Sequence, residues 1–227
     1  MSPEIADIGK DIARLLIKTN AVYVSREQPF ILGAGWASPV YVDCRLLVGD
    51  PAIRRAVTQL MSRYVAAVLP GAFDAVAGAE TAGIPFAAWL ADESGFALRY
   101  VRKRPLGIGR HAQVEGGSVE GLRVLLVDDL TTDGTSKLAF VRGLRSAGAT
   151  VEHALTVFFN DAFPGAVERL NQAGIALHPL ATWASLLHDD SGLAAGDRAV
   201  VENFLKDPIA WSGRHGGRIA QAPRVTG

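Results

Sequence analysis

One stretch of thirteen residues, VLLVDDLTTDGTS at 124–136, restricts the possible folds more than any other part of this sequence. Its four leading apolar residues lie between polar ones, a pattern typical of a short strand buried on both faces in a parallel sheet. Asp128 and Asp129 are expected to end that strand, and the apolar residues of 137–146 then recur at helical spacing. The stretch therefore predicts a strand, a polar loop and a helix in succession, which is a building unit of α/β folds.

The loop of this unit carries the chemistry of a phosphate site. The first N–H groups of a helix have no intrahelical partner, and together with the hydroxyls of Thr132, Thr135 and Ser136 they can hold a phosphate. Asp128 and Asp129 face the same crevice, where they can accept hydrogen bonds from sugar hydroxyls or bind a hard cation. We interpret the site as one for a ribose phosphate. The alternative is that the aspartates only cap the following helix.

Further strands and helices alternate along the chain. This alternation predicts a mostly parallel sheet flanked by helices on both faces. We expect an N-terminal helix and hood over residues 1–50, an α/β core over 51–206 and an extended tail over 207–227. The predicted strands cover 73–77, 97–101, 123–127, 151–159 and 175–180, and the predicted helices cover 4–19, 51–69, 86–92 and 137–146.

Composition limits the partners and the compartment. The chain has 23 basic and 23 acidic residues, so nothing in its net charge indicates a nucleic acid or a membrane surface as partner. A single cysteine, Cys44, excludes an intrachain disulfide and is more typical of a small buried residue than of a nucleophile. The N-terminus does not resemble a signal peptide, and no run of about 18 apolar residues occurs. A cytoplasmic protein is expected.

A basic segment precedes the phosphate unit. Residues 102–117 contain five cationic residues and four glycines without helical or strand periodicity. We predict a mobile basic loop next to the phosphate site, and the alternative is a solvated charged turn.

The strand, the acid pair and the Thr-x-Gly-Thr loop together resemble the signature of type I phosphoribosyltransferases, which hold 5-phosphoribosyl-1-pyrophosphate (PRPP). Three further segments resemble the orotate phosphoribosyltransferases: SPVYVD at 38–43, GAETAGIP at 78–85, and the loop ends at 100–103 and 113–116. The resemblance implies the type I phosphoribosyltransferase fold with a small N-terminal hood. It also implies a homodimer.

The implied reaction transfers the phosphoribosyl group of PRPP to orotate and gives orotidine 5'-monophosphate and pyrophosphate, a step of pyrimidine biosynthesis. By resemblance, Mg²⁺ and the ribose hydroxyls bind Asp128 and Asp129, while Arg102 and Lys103 hold the pyrophosphate. The base is implied to contact Tyr41, Val42 and Thr132. The residues implied to bind PRPP are Glu80, Thr81, Ala82, Arg102, Lys103, Asp128, Asp129, Leu130, Thr131, Thr132, Asp133, Gly134, Thr135 and Ser136.

The sequence departs from the family pattern at three places. Leu106 stands where the family's mobile loop has its pyrophosphate-stabilising lysine, so reduced activity is expected unless Arg104, Arg110 or His111 replaces the charge. Asp133 introduces a carboxylate into the phosphate loop. The residues at 160–161 are Asn-Asp in place of the Asp-Arg pair that many members use near orotate.

These departures leave three hypotheses open. The protein is an active orotate phosphoribosyltransferase, a phosphoribosyltransferase for another base, or a non-catalytic binder of ribose phosphates or nucleotides that keeps the fold.

Overall fold

The computed structural model describes residues 3–105 and 113–219. Its helices are α1 Pro3–Lys18, α2 Pro51–Val68, α3 Gly83–Ser94, α4 Thr135–Ser146, α5 Ala166–Gln172, α6 Trp183–Leu186, α7 Ala195–Leu205 and α8 Pro208–Arg214. Its strands are β1 Val22–Val24, β2 Phe30–Ile31, β3 Ala37–Ser38, β4 Val40–Val42, β5 Ala75–Ala79, β6 Ala97–Val101, β7 Val114–Glu115, β8 Arg123–Thr131, β9 Thr150–Phe159 and β10 Ala176–Thr182. Short 3-10 turns cover Cys44–Val48 and Asp189–Ser191.

The main sheet confirms the predicted α/β class. Across the described residues it has six strands in the order β10-β9-β8-β5-β6-β7, and all neighbours are parallel except β6 and β7. Alternate residues of β8 enter two apolar clusters: Leu125 and Val127 pack with α1, α2 and α3, whereas Val124 and Leu126 pack with α4. Strand β8 is therefore buried on both faces, as its unbroken apolar run indicates.

Strand β8 runs four residues further than predicted. Its pairing with β9 continues through Asp128 and Leu130 to Thr131, so the acid pair lies within the strand and does not end it. On the other side, the pairing of β8 with β5 stops at Val127. Hydrogen bonding to β9 extends the strand past the point at which the local sequence predicts its end. Both carboxylates therefore lie beyond the part of β8 that pairs with β5.

Two glycines let the loop after β5 approach this end of β8. A Cβ atom on Gly83 would lie 2.4 Å from the carbonyl oxygen of Val127 and 2.9 Å from the Cα atom of Asp128. A Cβ atom on Gly78 would lie 2.6 Å from the Cα atom of Ile84. Because backbone packs directly on backbone here, only glycine fits, and the start of α3 is held against the acid pair.

The N-terminal residues contribute both to the core and to the hood. Helix α1 buries Ile8, Ile12 and Leu16 completely in the core and contacts α2 and β10, so it belongs to the core layer. The hood itself consists of two small antiparallel sheets, β1 with β4 and β2 with β3. The strong amphipathic pattern of residues 4–19 predicted the helix correctly but not the surface that it covers.

The C-terminal residues also differ from the predicted extended tail, because residues 208–214 form α8. The Asp207 carboxylate accepts a hydrogen bond from the Ala210 amide at 3.0 Å, and Pro208 occupies the first turn. Capping and an N-terminal proline both favour a helix. Residues 220–227 lie outside the described part of the chain.

Within 3–105 and 113–219, no helix combines the length and apolar character required to cross a membrane.

A histidine pair on the sheet leads to a pH prediction. His153 Nδ1 and His178 Nε2 lie 3.1 Å apart on β9 and β10, and burial, aided by the neighbouring His153, lowers the pKa of His178 from 6.5 to about 4. The unfolded chain therefore binds more protons between these pH values, and stability should fall as the pH drops from 6.5 towards 4. Urea unfolding at pH 5 and pH 7 should show a smaller drop for His178→Gln than for the wild type. Equal drops would contradict the assignment.

Candidate active site

A cavity of about 790 Å³ lies at the carboxyl edge of the sheet, beneath the hood. Ligands of open α/β sheets bind in this position. Thirteen of the residues predicted for the site line it: Tyr41, Val42, Glu80, Thr81, Ala82, Lys103, Asp128, Asp129, Leu130, Thr132, Asp133, Thr135 and Ser136.

Three other predicted residues do not line this cavity. The Thr131 side chain is buried, and its hydroxyl has no hydrogen-bond partner in the part of the chain that the structure describes. Gly134 has a φ of +76° and caps the N-terminus of α4, where the left-handed backbone conformation favours glycine. Arg102 bonds instead to the neighbouring side chains Glu80, Glu115 and Tyr100.

Asp128 is held by a buried lysine that the sequence interpretation missed. Lys137 on α4 is 1% exposed, and its Nζ donates to Asp128 Oδ2 and to the Leu130 carbonyl, both at 2.7 Å. The other carboxylate oxygen of Asp128 accepts the Asp129 amide at 2.9 Å. Both oxygens of Asp128 are therefore fixed by the protein itself. The helical spacing of Lys137 with Val141 and Leu144 was the available signal, because it puts the lysine on the buried face of α4.

Asp129 is in a different electrostatic environment. Burial, and then the neighbouring Asp128 carboxylate, raise the pKa of Asp129 well above its ordinary value. Among the described residues no salt bridge to Asp129 occurs, whereas Asp128 forms one with Lys137. A partly desolvated carboxylate on a cavity wall attracts a cation or hydrogen-bond donors.

The phosphate loop is organised by Asp133. Its carboxylate accepts hydrogen bonds from the Thr135 amide at 3.0 Å and from the Thr135 hydroxyl at 2.7 Å. The Asp133 carbonyl in turn accepts a hydrogen bond from Arg169 on α5. Asp133 thus caps α4, one of the roles open to it, while still lining the cavity. Thr132 and Ser136 also line the cavity.

The root of the basic loop is fixed by Glu80. Its Oε2 accepts the Lys103 amide at 2.8 Å, and its Oε1 accepts Arg102 Nη1 at 3.4 Å. Lys103 and Arg104 line the cavity. Leu106, Arg110 and His111 lie outside the described residues.

The opposite wall comes from the hood and includes a cation that the sequence interpretation missed. Arg45 donates to both Asp43 oxygens at 2.6 and 2.8 Å and to the Tyr41 hydroxyl at 3.3 Å, and its hydrogen bonding lowers the pKa of Asp43. Cys44 between them is buried, and burial raises the pKa of its thiol, so it is a core residue. At the end of β9, Asn160 Oδ1 accepts the indole N–H of Trp183 at 3.0 Å.

Residues 47–166 match the model of the phosphoribosyl transferase domain family. The parallel sheet and the acid pair before a hydroxyl-rich loop define the class as a type I phosphoribosyltransferase. The orotate phosphoribosyltransferase of Rhizobium meliloti (strain 1021) is 46% identical over 218 residues, which cover 93% of each chain. That of Sinorhizobium medicae (strain WSM419) is 45% identical, covering 97% of each chain. The chain belongs to the orotate phosphoribosyltransferase family.

A solved structure agrees with this assignment. The crystal structure of orotate phosphoribosyltransferase from Aeropyrum pernix is 36% identical and superposes with a TM-score of 0.66, covering 78% of this chain and 96% of that one. The family resemblance inferred from the motifs at 38–43, 78–85 and 124–136 is confirmed.

Proposed function

We propose that this protein transfers the phosphoribosyl group of PRPP to N1 of orotate, giving orotidine 5'-monophosphate and pyrophosphate. One observation carries the proposal: a single cavity joins the acid pair and phosphate loop on one wall to Tyr41 and Val42 of the hood on the other. The full-length similarity to orotate phosphoribosyltransferases supports the same reaction.

The proposed reaction needs positioning and charge stabilisation but no nucleophile. Its transition state resembles a ribosyl cation leaving pyrophosphate, so the enzyme must fix both ends of PRPP and exclude water. Asp128, immobilised by Lys137, and the adjacent Asp129 are assigned to the ribose hydroxyls. The loop at 131–136 is assigned to the 5'-phosphate, and Lys103 with Arg104 to the pyrophosphate. The cationic ends of these two side chains act on the leaving group, where negative charge develops.

Mg²⁺ fits this donor set. Magnesium in phosphate enzymes is commonly held by one or two carboxylates together with substrate oxygens. Asp129 supplies a carboxylate on the wall without a protein cation, with Asp128 beside it, and no cluster of three or more acidic, histidine or cysteine ligands occurs within 3–105 and 113–219. Asp128 and Asp129 would hold the ion, and its positive charge would stabilise the negative charge that develops on the leaving group.

Phosphoribosyl transfer to another base is a second candidate function. It is favoured by Asn160, which stands where many members of the family have a charged pair near the base. The side-chain oxygen of Asn160 already accepts the indole N–H of Trp183.

Arg45, in contrast, favours orotate as the base. It places a cation on the hood wall of the cavity, as recognition of the orotate carboxylate requires. Uracil lacks that carboxylate and otherwise resembles orotate, so it is the matched comparison.

The decisive experiment measures pyrophosphate release with PRPP and Mg²⁺ in parallel reactions containing orotate, uracil or a purine base. Orotate-dependent release is expected. Release with another base alone would favour the second candidate. Calorimetric binding of PRPP without release in any reaction would identify a non-catalytic binder.

Assembly as a homodimer in the cytoplasm is proposed from the family resemblance and from the cysteine usage. Sedimentation at micromolar concentration tests the dimer, and a monomer would remove it.

A further inference from the structure

The turn between β2 and β3 has two sides with different neighbours. On one side Leu32, Gly33 and Ala34 line the cavity next to Tyr41. The turn is closed by hydrogen bonds from the Leu32 amide to the Trp36 carbonyl at 2.8 Å and from the Gly35 amide to the Leu32 carbonyl at 2.7 Å. A two-stranded hairpin of this size has little stability of its own, so its position depends on what lies behind it.

The C-terminal segment lies behind it. We call residues 207–219, which comprise α8 and the chain after it, the C-terminal clamp. Ser212 is fully buried, and its Oγ accepts the Ala37 amide at 2.9 Å. The Arg218 amide donates to the Gly35 carbonyl at 3.0 Å, and Arg218 Nη1 donates to the Ala34 carbonyl at 3.2 Å. Ala34 and Gly35 of the turn and Ala37 of β3 are therefore bonded to residues about 180 positions away in the sequence.

Packing adds to these hydrogen bonds. The Arg218 guanidinium lies 5.2 Å from the centre of the Trp36 ring, which stacks on Phe163 with 4.5 Å between ring centres. Phe163 contacts Phe204 on α7, and Phe204 contacts Trp211 on α8, with ring centres 5.8 and 5.5 Å apart. One stacked pair and two edge-to-face pairs thus join the turn to both C-terminal helices, and aromatic pairs of these geometries stabilise beyond their buried area.

The C-terminal clamp and β3 are in closest contact at Gly217 and Ala37, where no space is left for a side chain on Gly217. A Cβ atom on Gly217 would lie 2.3 Å from the Ala37 amide nitrogen, 2.4 Å from Ser212 Oγ and 2.6 Å from the Ala37 Cβ atom. The added atom would therefore collide both with β3 and with the serine that bonds to β3, so any side chain at position 217 must disturb the contact between the clamp and the hairpin.

We propose that the C-terminal clamp positions the hood turn at 32–36 and thereby sets the shape of the base-facing wall. The inference rests on the proposed function for its choice of substrate. Ser212, Gly217 and Arg218 are not among the residues that line the cavity, so we assign them as positioning residues. They act on the acceptor base and leave the PRPP end of the cavity unchanged, since that end is built by β8, α4 and the loop after β5.

The test compares Ser212→Ala, Gly217→Ala and Arg218→Ala with Arg214→Ala, an exposed arginine on the same helix, as the matched control. The KM for orotate should rise at least tenfold in Gly217→Ala and several-fold in the other two clamp variants. The KM for PRPP should stay within twofold of the wild type, and Arg214→Ala should behave as the wild type. Unchanged or equally raised KM values for both substrates in the folded clamp variants would overturn the proposal.

Hydrogen exchange supplies a readout that does not depend on the reaction. Amide exchange across 32–37 should speed up at least tenfold in the clamp variants, with exchange across 124–131 unchanged. A wild type inactive with orotate, combined with this faster exchange, would remove the proposed function and keep the clamp. Unchanged exchange at 32–37 would overturn the clamp whatever the activity. If Gly217→Ala does not fold, the Ser212 and Arg218 variants decide the question.

Discussion

Asp128→Asn is expected to lower the free energy of unfolding by about 3–5 kcal/mol, because it leaves the buried Lys137 ammonium without a counter-ion. Lys137 Nζ would retain the Leu130 carbonyl as an acceptor but would lose its bond to a carboxylate. Urea unfolding at pH 7 measures the effect. The matched control is Asp74→Asn, which breaks an exposed ion pair with Arg123 and should change stability much less.

A second substitution separates stability from activity. Replacing Lys137 with methionine in the Asp128→Asn background removes the unpaired charge at similar volume, so most of the lost stability should return. Turnover should stay at least tenfold below the wild type, since no fixed carboxylate would face the ribose. A single Asp128→Asn variant as stable as the wild type, or a double variant with normal turnover, would show that the buried pair does not have this role.

Asp129→Asn is expected to weaken PRPP binding in the presence of Mg²⁺ at least tenfold, about 1.4 kcal/mol, without loss of stability. The pKa of Asp129 is raised in the folded protein from 3.8 to about 7, so the folded state binds more protons than the unfolded state between these pH values. The contribution of Asp129 to stability therefore falls as the pH rises from 3.8 to about 7. Asparagine removes the destabilisation caused by the buried charge, so the free energy of unfolding at pH 7 should be equal to or higher than that of the wild type.

The matched control for this prediction is Asp133→Asn. It also removes one carboxylate from the cavity wall, but an asparagine can still cap the Thr135 amide. Because a carboxylate on this wall would repel a phosphate bound in the loop, PRPP affinity should stay the same or rise in Asp133→Asn. Calorimetric titration of PRPP with Mg²⁺ measures both variants. Equal losses of affinity in the two would show that any carboxylate in this cavity serves, and would remove the special role assigned to Asp129.

Much of the site was accessible to sequence reasoning because its chemistry is contiguous. The strand, the acid pair and the hydroxyl-rich loop follow one another within residues 124–136, and the glycines at 78 and 83 belong to one short motif. Local periodicity and helix capping are properties of neighbouring residues, so they can be read along the chain. These features predicted the fold class and placed the acid pair and the hydroxyl-rich loop at one edge of the sheet. The other predicted residues that line the cavity, Tyr41, Val42, Glu80, Thr81, Ala82 and Lys103, were expected only from the resemblance to the family.

The tertiary structure decided the remaining features, which depend on contacts between different strands, helices and loops. The pairing of β8 with β9 determines where the strand ends, and the folding of α4 back onto β8 brings Lys137 to Asp128. The resemblance implies that Arg102 holds the pyrophosphate, and only the structure shows that the antiparallel β7 also brings Glu115 to Arg102. The sequence predicts an extended C-terminal tail because the partners of these residues, Ala37 and Trp36, come from the other end of the chain. The choice of partner in these contacts is set by three-dimensional proximity, which no local pattern of the sequence encodes.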